Sequence, residues 1–127
     1  MPFYSVSAVA EAVGMSEKQL DNMLSRNALV GVERKARGVA RRISADAAVT
    51  INLASGLSES LRVPIGAAIG IATQLQTTNE HVIGVGAFLT LRADMTALRI
   101  ATLARLDMAV ETVGRRRRGR PPGAGQK

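Results

Sequence analysis

Cysteine is absent from this sequence of 127 residues, histidine occurs once and aromatic residues occur only three times. Without cysteine, disulfide bonds and thiolate metal sites are excluded, and a zinc site around His81 would need a mostly carboxylate ligand set. We therefore expect neither a metal nor another cofactor. The aromatic residues are Phe3, Tyr4 and Phe88, so few rings are available to stack on single-stranded bases.

Long hydrophobic runs are also lacking. The longest stretch without charge covers residues 63–79 and contains polar side chains, so it falls short of the roughly 20 apolar residues of a membrane-spanning helix. The N-terminus has no basic segment followed by an apolar run, and we expect no secretory signal. These absences predict a soluble, cytoplasmic protein without a membrane partner.

Positive charge is in excess, and it lies in two blocks. The net charge is +7; residues 114–127 (GRRRRGRPPGAGQK) hold six basic and no acidic residues, and residues 26–42 hold six basic residues against Glu33 alone. The remainder of the chain is net negative. Asymmetry of this kind favours a polyanionic partner.

Two short helices joined by a turn are predicted in residues 4–27 (YSVSAVAEAVGMSEKQLDNMLSRN). A hydroxyl of Ser5 or Ser7 can cap the first helix, and Gly14 ends it because glycine tolerates the left-handed conformation. Ser16 caps the second helix, in which apolar residues recur at helical spacing. The pair predicts a helix-turn-helix. The exposed face of the second helix carries polar side chains, which are Lys18, Gln19, Asn22, Ser25 and Arg26.

A small basic hairpin is predicted next, in residues 28–44 (ALVGVERKARGVARRIS). Residues 29–32 form its first strand, the polar segment RKARG at residues 34–38 forms its tip, and residues 39–43 form the returning strand. A basic hairpin that follows a helix-turn-helix is typical of a wing.

Two further helices are predicted in the middle of the chain. Ser44 caps the first of them, which we expect to end at Gly56, and residues 57–62 then form a link. Pro64 fits the first turn of the second helix. The small residues of its sequence IGAAIGIA would let a neighbouring helix approach closely.

A strand-like segment and a long helix are predicted last. Residues 82–91 combine β-prone side chains with two glycines, which indicates one strand or a short hairpin. The last helix is expected from Asp94, its N-cap, to about Val113. Its apolar face either packs on its own domain or pairs with the same helix of a second subunit, and we favour a homodimer. The predicted interface consists of Met95, Leu98, Thr102, Leu106, Ala109 and Val113. Ile100, Leu103 and Val110 widen the apolar stripe of the helix.

Residues 4 to about 76 resemble the DNA-binding domain of the MerR family of winged-helix regulators. The stretch YSVSAVAEAVGMSEKQLDNMLSRNALV is similar to the family's helix-turn-helix, and GVARRISADAAVTINLASGLS is similar to its passage from wing to helix. The resemblance implies that the second helix enters the major groove, that the wing touches the phosphate backbone and that the long C-terminal helix forms the dimer.

Residue patterns and resemblance together predict a mainly α fold with a small β component. Residues 1–76 would form a winged helix-turn-helix, and residues 77–113 a strand or hairpin with a long C-terminal helix for dimerisation. Residues 114–127 would form a disordered basic tail.

The second helix departs from the family pattern, which usually has aromatic and basic residues in its second half. This sequence has Asp21, Asn22 and Met23 there. Asp21 would repel phosphate unless it faces away from the DNA. The strand-like segment around Val85 is also unexpected, and no effector-sensing domain follows. We expect a small variant of the family without a small-molecule effector.

The tail contains RRGRPPG, residues 117–123, which resembles the core of an AT-hook. Such a core lies in the narrow minor groove of A·T-rich DNA. Gly119 would permit close approach to the floor of the groove, and Arg118 and Arg120 would reach along it, where the negative potential is deepest. The alternative is an electrostatic arm that binds any polyanion.

These observations predict a sequence-specific double-stranded DNA-binding protein, a small transcriptional regulator and not an enzyme. The sequence suggests no Gly-rich phosphate loop with its lysine and no catalytic triad. The second helix would read base edges, and the wing and the tail would bind phosphates or the minor groove. The predicted DNA-binding residues are Ser16, Lys18, Gln19, Asn22 and Arg26 in the second helix, Arg34, Lys35, Arg37, Arg41 and Arg42 in the wing, and Arg115, Arg116, Arg117, Arg118, Gly119 and Arg120 in the tail.

Two other classes of function stay open. One is an architectural DNA-binding protein of excisionase, segregation or nucleoid type, which cooperative filling of long DNA would indicate. The other is an interaction module whose tail binds RNA or an acidic protein, which equal affinity for single-stranded RNA and duplex DNA would indicate. In the favoured interpretation the protein is associated with the nucleoid.

Overall fold

The computed structural model describes residues 2–33 and 40–118, with side chains described as far as Arg116. This part of the chain is mainly helical, with a small antiparallel sheet and a long C-terminal helix. The elements in chain order are β1 (Phe3–Tyr4), α1 (Val6–Val13), α2 (Glu17–Arg26), β2 (Val32–Glu33), β3 (Arg42–Ser44), α3 (Ala45–Leu61), α4 (Ile65–Thr77), β4 (Val82–Val85), β5 (Leu89–Arg92) and α5 (Met95–Arg118).

The two N-terminal helices and their turn form as predicted. Ser5 is the cap of α1, and its Oγ accepts a hydrogen bond from the backbone N–H of Ala8 at 3.1 Å. Gly14 ends α1 in the left-handed conformation, with φ of 87°. Ser16 caps α2 two residues later. The short turn between the caps sets the angle at which α2 leaves α1.

A three-stranded antiparallel sheet, in the order β1-β3-β2, lies beside these helices. Strand β1 was not anticipated, since two residues are too few to produce an alternating pattern. The first hairpin strand, predicted at residues 29–32, is wrong except for Val32. Gly31 has φ of 94°, outside the strand region, and β2 begins only after it. The predicted tip at residues 34–38 lies outside the described residues.

Helix α3 is longer than predicted. It passes through Gly56 to Leu61 and ends at Arg62, which has φ of 58°. The predicted end at Gly56 and the predicted link over residues 57–62 are therefore wrong. Gly56 is exposed, whereas Leu57 is 9% exposed, so the buried side of the helix continues past the glycine. Burial of Leu57 offsets the roughly 1 kcal/mol that a helical glycine costs.

The C-terminal part contains a hairpin and α5. Strands β4 and β5 pair antiparallel, so the short hairpin, one of the two predicted alternatives, is the one that forms. Asp94 caps α5 as predicted, and its Oδ1 accepts a hydrogen bond from the N–H of Ala97 at 3.0 Å. The helix continues to Arg118, five residues beyond its predicted end. Residues 114–118, predicted to be disordered, are thus helical, and residues 119–127 lie outside the described part.

One cluster of aliphatic side chains from α1, α2, α3, α4, α5 and β3 forms the core. Helix α5 contributes to this core most of the face that was predicted to join two subunits. Leu106 is fully buried, Thr102 is 1% exposed, and Met95 and Ala109 are also buried within the single chain, while Leu98 and Val113 are half-buried. The large apolar side chains that α5 leaves exposed are Ile100, Met108 and Val110. Within the described ranges, none of the helices has the length and apolar composition that crossing a membrane requires.

Candidate nucleic-acid interface

The polar side of α2 is open to solvent. Lys18, Asn22 and Arg26 follow one another at four-residue spacing and are all exposed, so they line one side of the helix. Leu20 and Met23 hold the opposite side in the core, where they are 0% and 5% exposed. We call Lys18, Asn22 and Arg26 the α2 face. They belong to the larger set of polar residues predicted on the exposed side of this helix, and the structure places these three on one side.

Ser16 and Gln19, also predicted to bind DNA, form a capping box at the start of α2. Ser16 Oγ accepts a hydrogen bond from the N–H of Gln19 at 3.0 Å, and Gln19 Oε1 accepts one from the N–H of Ser16 at 3.0 Å. The carboxamide oxygen of Gln19 is therefore engaged. Bidentate binding of adenine needs both the oxygen and the nitrogen of a carboxamide, so Gln19 in this arrangement cannot provide it. Its Nε2 stays available as a donor.

The side chain of Arg41 packs against α2 and does not extend into solvent. Its Nη1 donates to Asp21 Oδ1 at 2.6 Å, its Nη2 donates to Ser25 Oγ at 2.9 Å, and the side chain is 14% exposed. These contacts do not fit the predicted role of Arg41, in which its guanidinium would be available to bind a DNA phosphate. The pairing also answers the difficulty raised by Asp21, because the guanidinium compensates the carboxylate charge on the exposed side of α2.

Arg42 is the exposed basic residue at the base of the hairpin. Its guanidinium lies over the ring of Phe3, 4.4 Å from the ring centroid, and this cation–π contact links β3 to β1. Arg34, Lys35 and Arg37 lie outside the described residues. The basic character of the hairpin tip therefore rests on the sequence alone.

The basic end of α5 approaches α1. Arg116 Nη2 donates to Glu11 Oε1 at 2.6 Å, and Arg115 beside it is exposed. The backbone of Arg117 and Arg118 is helical, whereas Gly119 and Arg120 lie outside the described residues. The AT-hook resemblance at residues 117–123 thus falls almost entirely beyond the described part of the chain.

A concavity of about 510 Å³ lies beside the α2 face. Asn22 and Arg26 line one of its walls, and Ser58 and Glu59 line another. The sequence did not predict this concavity, because Ser58 and Glu59 were assigned to a link and not to the last turns of α3. Glu11 and Asp21 were likewise missed as ion-pair partners, since their partners are 105 and 20 residues away in sequence.

No protein-family model, no curated protein and no solved structure was found that matches this chain.

Proposed function

We propose that this protein binds double-stranded DNA as a small winged helix-turn-helix regulator of the MerR-like type. In this proposal α2 enters the major groove, the hairpin β2–β3 is the wing, and the basic end of α5 adds a third contact. The order of α1, α2, a two-stranded hairpin, α3 and α4 supports the proposal, because it is the order that the sequence resemblance implies.

The observation that carries the proposal is the ion pair between Arg41 and Asp21. An acidic residue on the exposed side of a DNA-reading helix would oppose binding, and here an arginine from the base of the hairpin compensates it at 2.6 Å. The negative charge of Asp21, which lies on the same helix as the cations Lys18 and Arg26, is therefore compensated. The same contact fixes the position of the hairpin relative to α2, so the two elements would bind one DNA duplex in a fixed relative orientation.

Each part of the surface has a distinct task in the proposed complex. The free carboxamide of Asn22 can bind adenine in a bidentate manner, and Arg26 or Lys18 can bind guanine. Arg42 and the basic hairpin tip would contact phosphates, which orient the protein but do not read sequence. Each neutralised phosphate releases counterions, so affinity would fall steeply with salt.

A homodimer belongs to the proposal, because two subunits reading two half-sites gain specificity. The dimer cannot use the face of α5 that contains Leu106, since that face is filled by the chain's own core. The apolar side chains on the outer side of α5, Ile100 and Met108, are 65% and 68% exposed and are free for such a contact.

Selection of duplexes from a random pool, followed by substitution of the α2 face, tests the proposal. Asn22→Ala should lose about 1–3 kcal/mol of discrimination at one base position of the selected site. Asn79→Ala, which removes an exposed carboxamide from the turn after α4, is the matched control and should change nothing. If no sequence is enriched and the protein coats long DNA cooperatively, an architectural DNA-binding function would replace the proposed regulatory function. Failure to bind duplex DNA would refute the proposal.

A further inference from the structure

Three polar contacts define the path of α5 across the molecule. Near its start, Arg99 Nη1 donates to Asp46 Oδ1 at 2.6 Å, in the first turn of α3. One turn later, Asn52 Nδ2 donates to Thr102 Oγ1 at 2.9 Å. The third contact, Arg116 with Glu11 at 2.6 Å, lies on α1. Helix α5 thus runs from the beginning of α3 to α1 and brings its basic end there.

The basic end of α5 reaches the turn that precedes α2. A concavity of about 330 Å³ at this point is lined by Glu11, Gly14, Ser16, Glu17 and Arg116. These residues include the last part of α1, the turn, and the cap and first residue of α2. Arg116 therefore stands at the N-terminal end of the helix that is proposed to read DNA. An exposed Arg115 is its neighbour in the chain.

The three acidic residues of α1 and α2 each have a partner. Asp21 is paired with Arg41, Glu11 is paired with Arg116, and Glu17 accepts a hydrogen bond from Ser7 Oγ at 2.6 Å. The partners come from three separate parts of the chain, which are α1, the residue before β3 and the end of α5. A surface meant to approach phosphates needs this compensation, since an unpaired carboxylate would repel them.

We propose that the basic end of α5, beginning with Arg115 and Arg116, is a fixed part of the DNA-binding surface beside the N-terminus of α2, and that Glu11 positions it. This inference rests on the proposed function. Arg116 compensates Glu11, and Arg115 contacts a phosphate of the duplex that α2 reads. The partial positive charge of the α2 N-terminus acts on the same phosphates. The basic residues would then act from one defined place and not as a freely moving arm.

A double-mutant cycle in the full-length chain tests this inference, with affinity for one duplex of roughly 30 base pairs, about three helical turns, as the readout. Arg116→Gln removes a cation and exposes the charge of Glu11, so it should weaken binding about fivefold. Glu11→Gln alone should change affinity little, because the loss of positioning and the gain of one net positive charge oppose each other. In the Arg116→Gln background, Glu11→Gln should recover part of the loss.

Arg105→Gln is the matched control, because it removes the same charge from an exposed position three turns earlier in α5. It should weaken binding clearly less than Arg116→Gln. Equal losses from the two arginine variants would mean that only net charge matters and would overturn the inference, as would additive effects of Glu11→Gln and Arg116→Gln. Both outcomes would leave the proposed function intact. If the wild-type chain failed to bind the duplex, the proposed function would fall and this inference with it.

Discussion

Arg41, the residue before β3, is joined to α2, because its guanidinium donates to Asp21 Oδ1 at 2.6 Å and to Ser25 Oγ at 2.9 Å. Arg41 is only 14% exposed, so this contact is better shielded from solvent than the other two ion pairs of the described residues. Two elements that are separate in the sequence become one surface through it. An acidic residue that seemed incompatible with DNA binding is part of the connection.

Substitution of Arg41 should therefore affect stability and binding together. Arg41→Ala should lower the free energy of unfolding by about 1 kcal/mol, since it removes a partly shielded ion pair and a hydrogen bond. It should also weaken duplex binding, because Asp21 is left uncompensated. Adding Asp21→Asn should recover binding but not stability. Urea denaturation and duplex titration measure the two quantities, and recovery of neither would contradict the assigned role of Asp21.

The capping box predicts a stability effect at two residues that the sequence assigned to DNA. Ser16→Ala should cost about 1 kcal/mol of unfolding free energy, since it leaves an N–H at the start of α2 without its partner. Gln19→Ala should also destabilise the protein, without changing the base preference of the selected site. Urea denaturation measures the first effect. A changed base preference in Gln19→Ala would show that the capping box opens when DNA binds.

The two sides of α5 should respond oppositely to an introduced charge. Leu106→Asp should prevent folding, since it buries a carboxylate in the core, and Leu106→Ala should cost about 3 kcal/mol. Ile100→Asp and Met108→Asp should leave the fold intact and abolish dimerisation. Circular dichroism and sedimentation equilibrium separate these outcomes. If the Ile100→Asp and Met108→Asp variants are folded and still dimeric, the contact between subunits lies elsewhere on the protein.

Two glycines should behave in opposite ways when alanine replaces them. Gly31 has φ of 94°, and an added Cβ would collide with Ser44 Oγ, so Gly31→Ala should cost about 2 kcal/mol or more. Gly56 lies on the exposed side of α3 with open space around the added Cβ, so Gly56→Ala should stabilise the protein by about 0.5–1 kcal/mol. Thermal and urea unfolding of the two variants provide the comparison. Stabilisation by Gly31→Ala would contradict the described turn.

Local signals in the sequence predicted much of the helical fold. Caps at Ser5, Ser16, Ser44 and Asp94 were recognisable because the side-chain oxygen binds a backbone N–H within the same turn. The end of α3 was missed because glycine ends a helix only where the apolar face of the helix also ends. The burial of Leu57 shows that the apolar face of α3 continues past Gly56.

The arrangement around α2 depended on tertiary contacts that local patterns do not contain. The sequence identified the exposed α2 face but not the partner of Asp21, because Arg41 reaches it only after the chain has folded back. The apolar face of α5 was recognised correctly as a face that must be buried. Periodicity alone does not say whether the burying surface belongs to the same chain or to another, and it belongs to α1 and α3.

The most direct test of DNA binding is the salt dependence of affinity, measured for the full-length chain on A·T-rich duplex DNA, on G·C-rich duplex DNA and on single-stranded RNA. We predict tighter binding to duplex DNA than to RNA, with the logarithm of the association constant falling by about 0.9 per contacted phosphate for each unit of the logarithm of salt concentration. Stronger binding to the A·T-rich duplex than to the G·C-rich duplex would indicate that the tail also binds the minor groove. Equal affinity for RNA and duplex DNA, or affinity that does not change with salt, would contradict the proposal that α2, the hairpin and the end of α5 form a surface for double-stranded DNA.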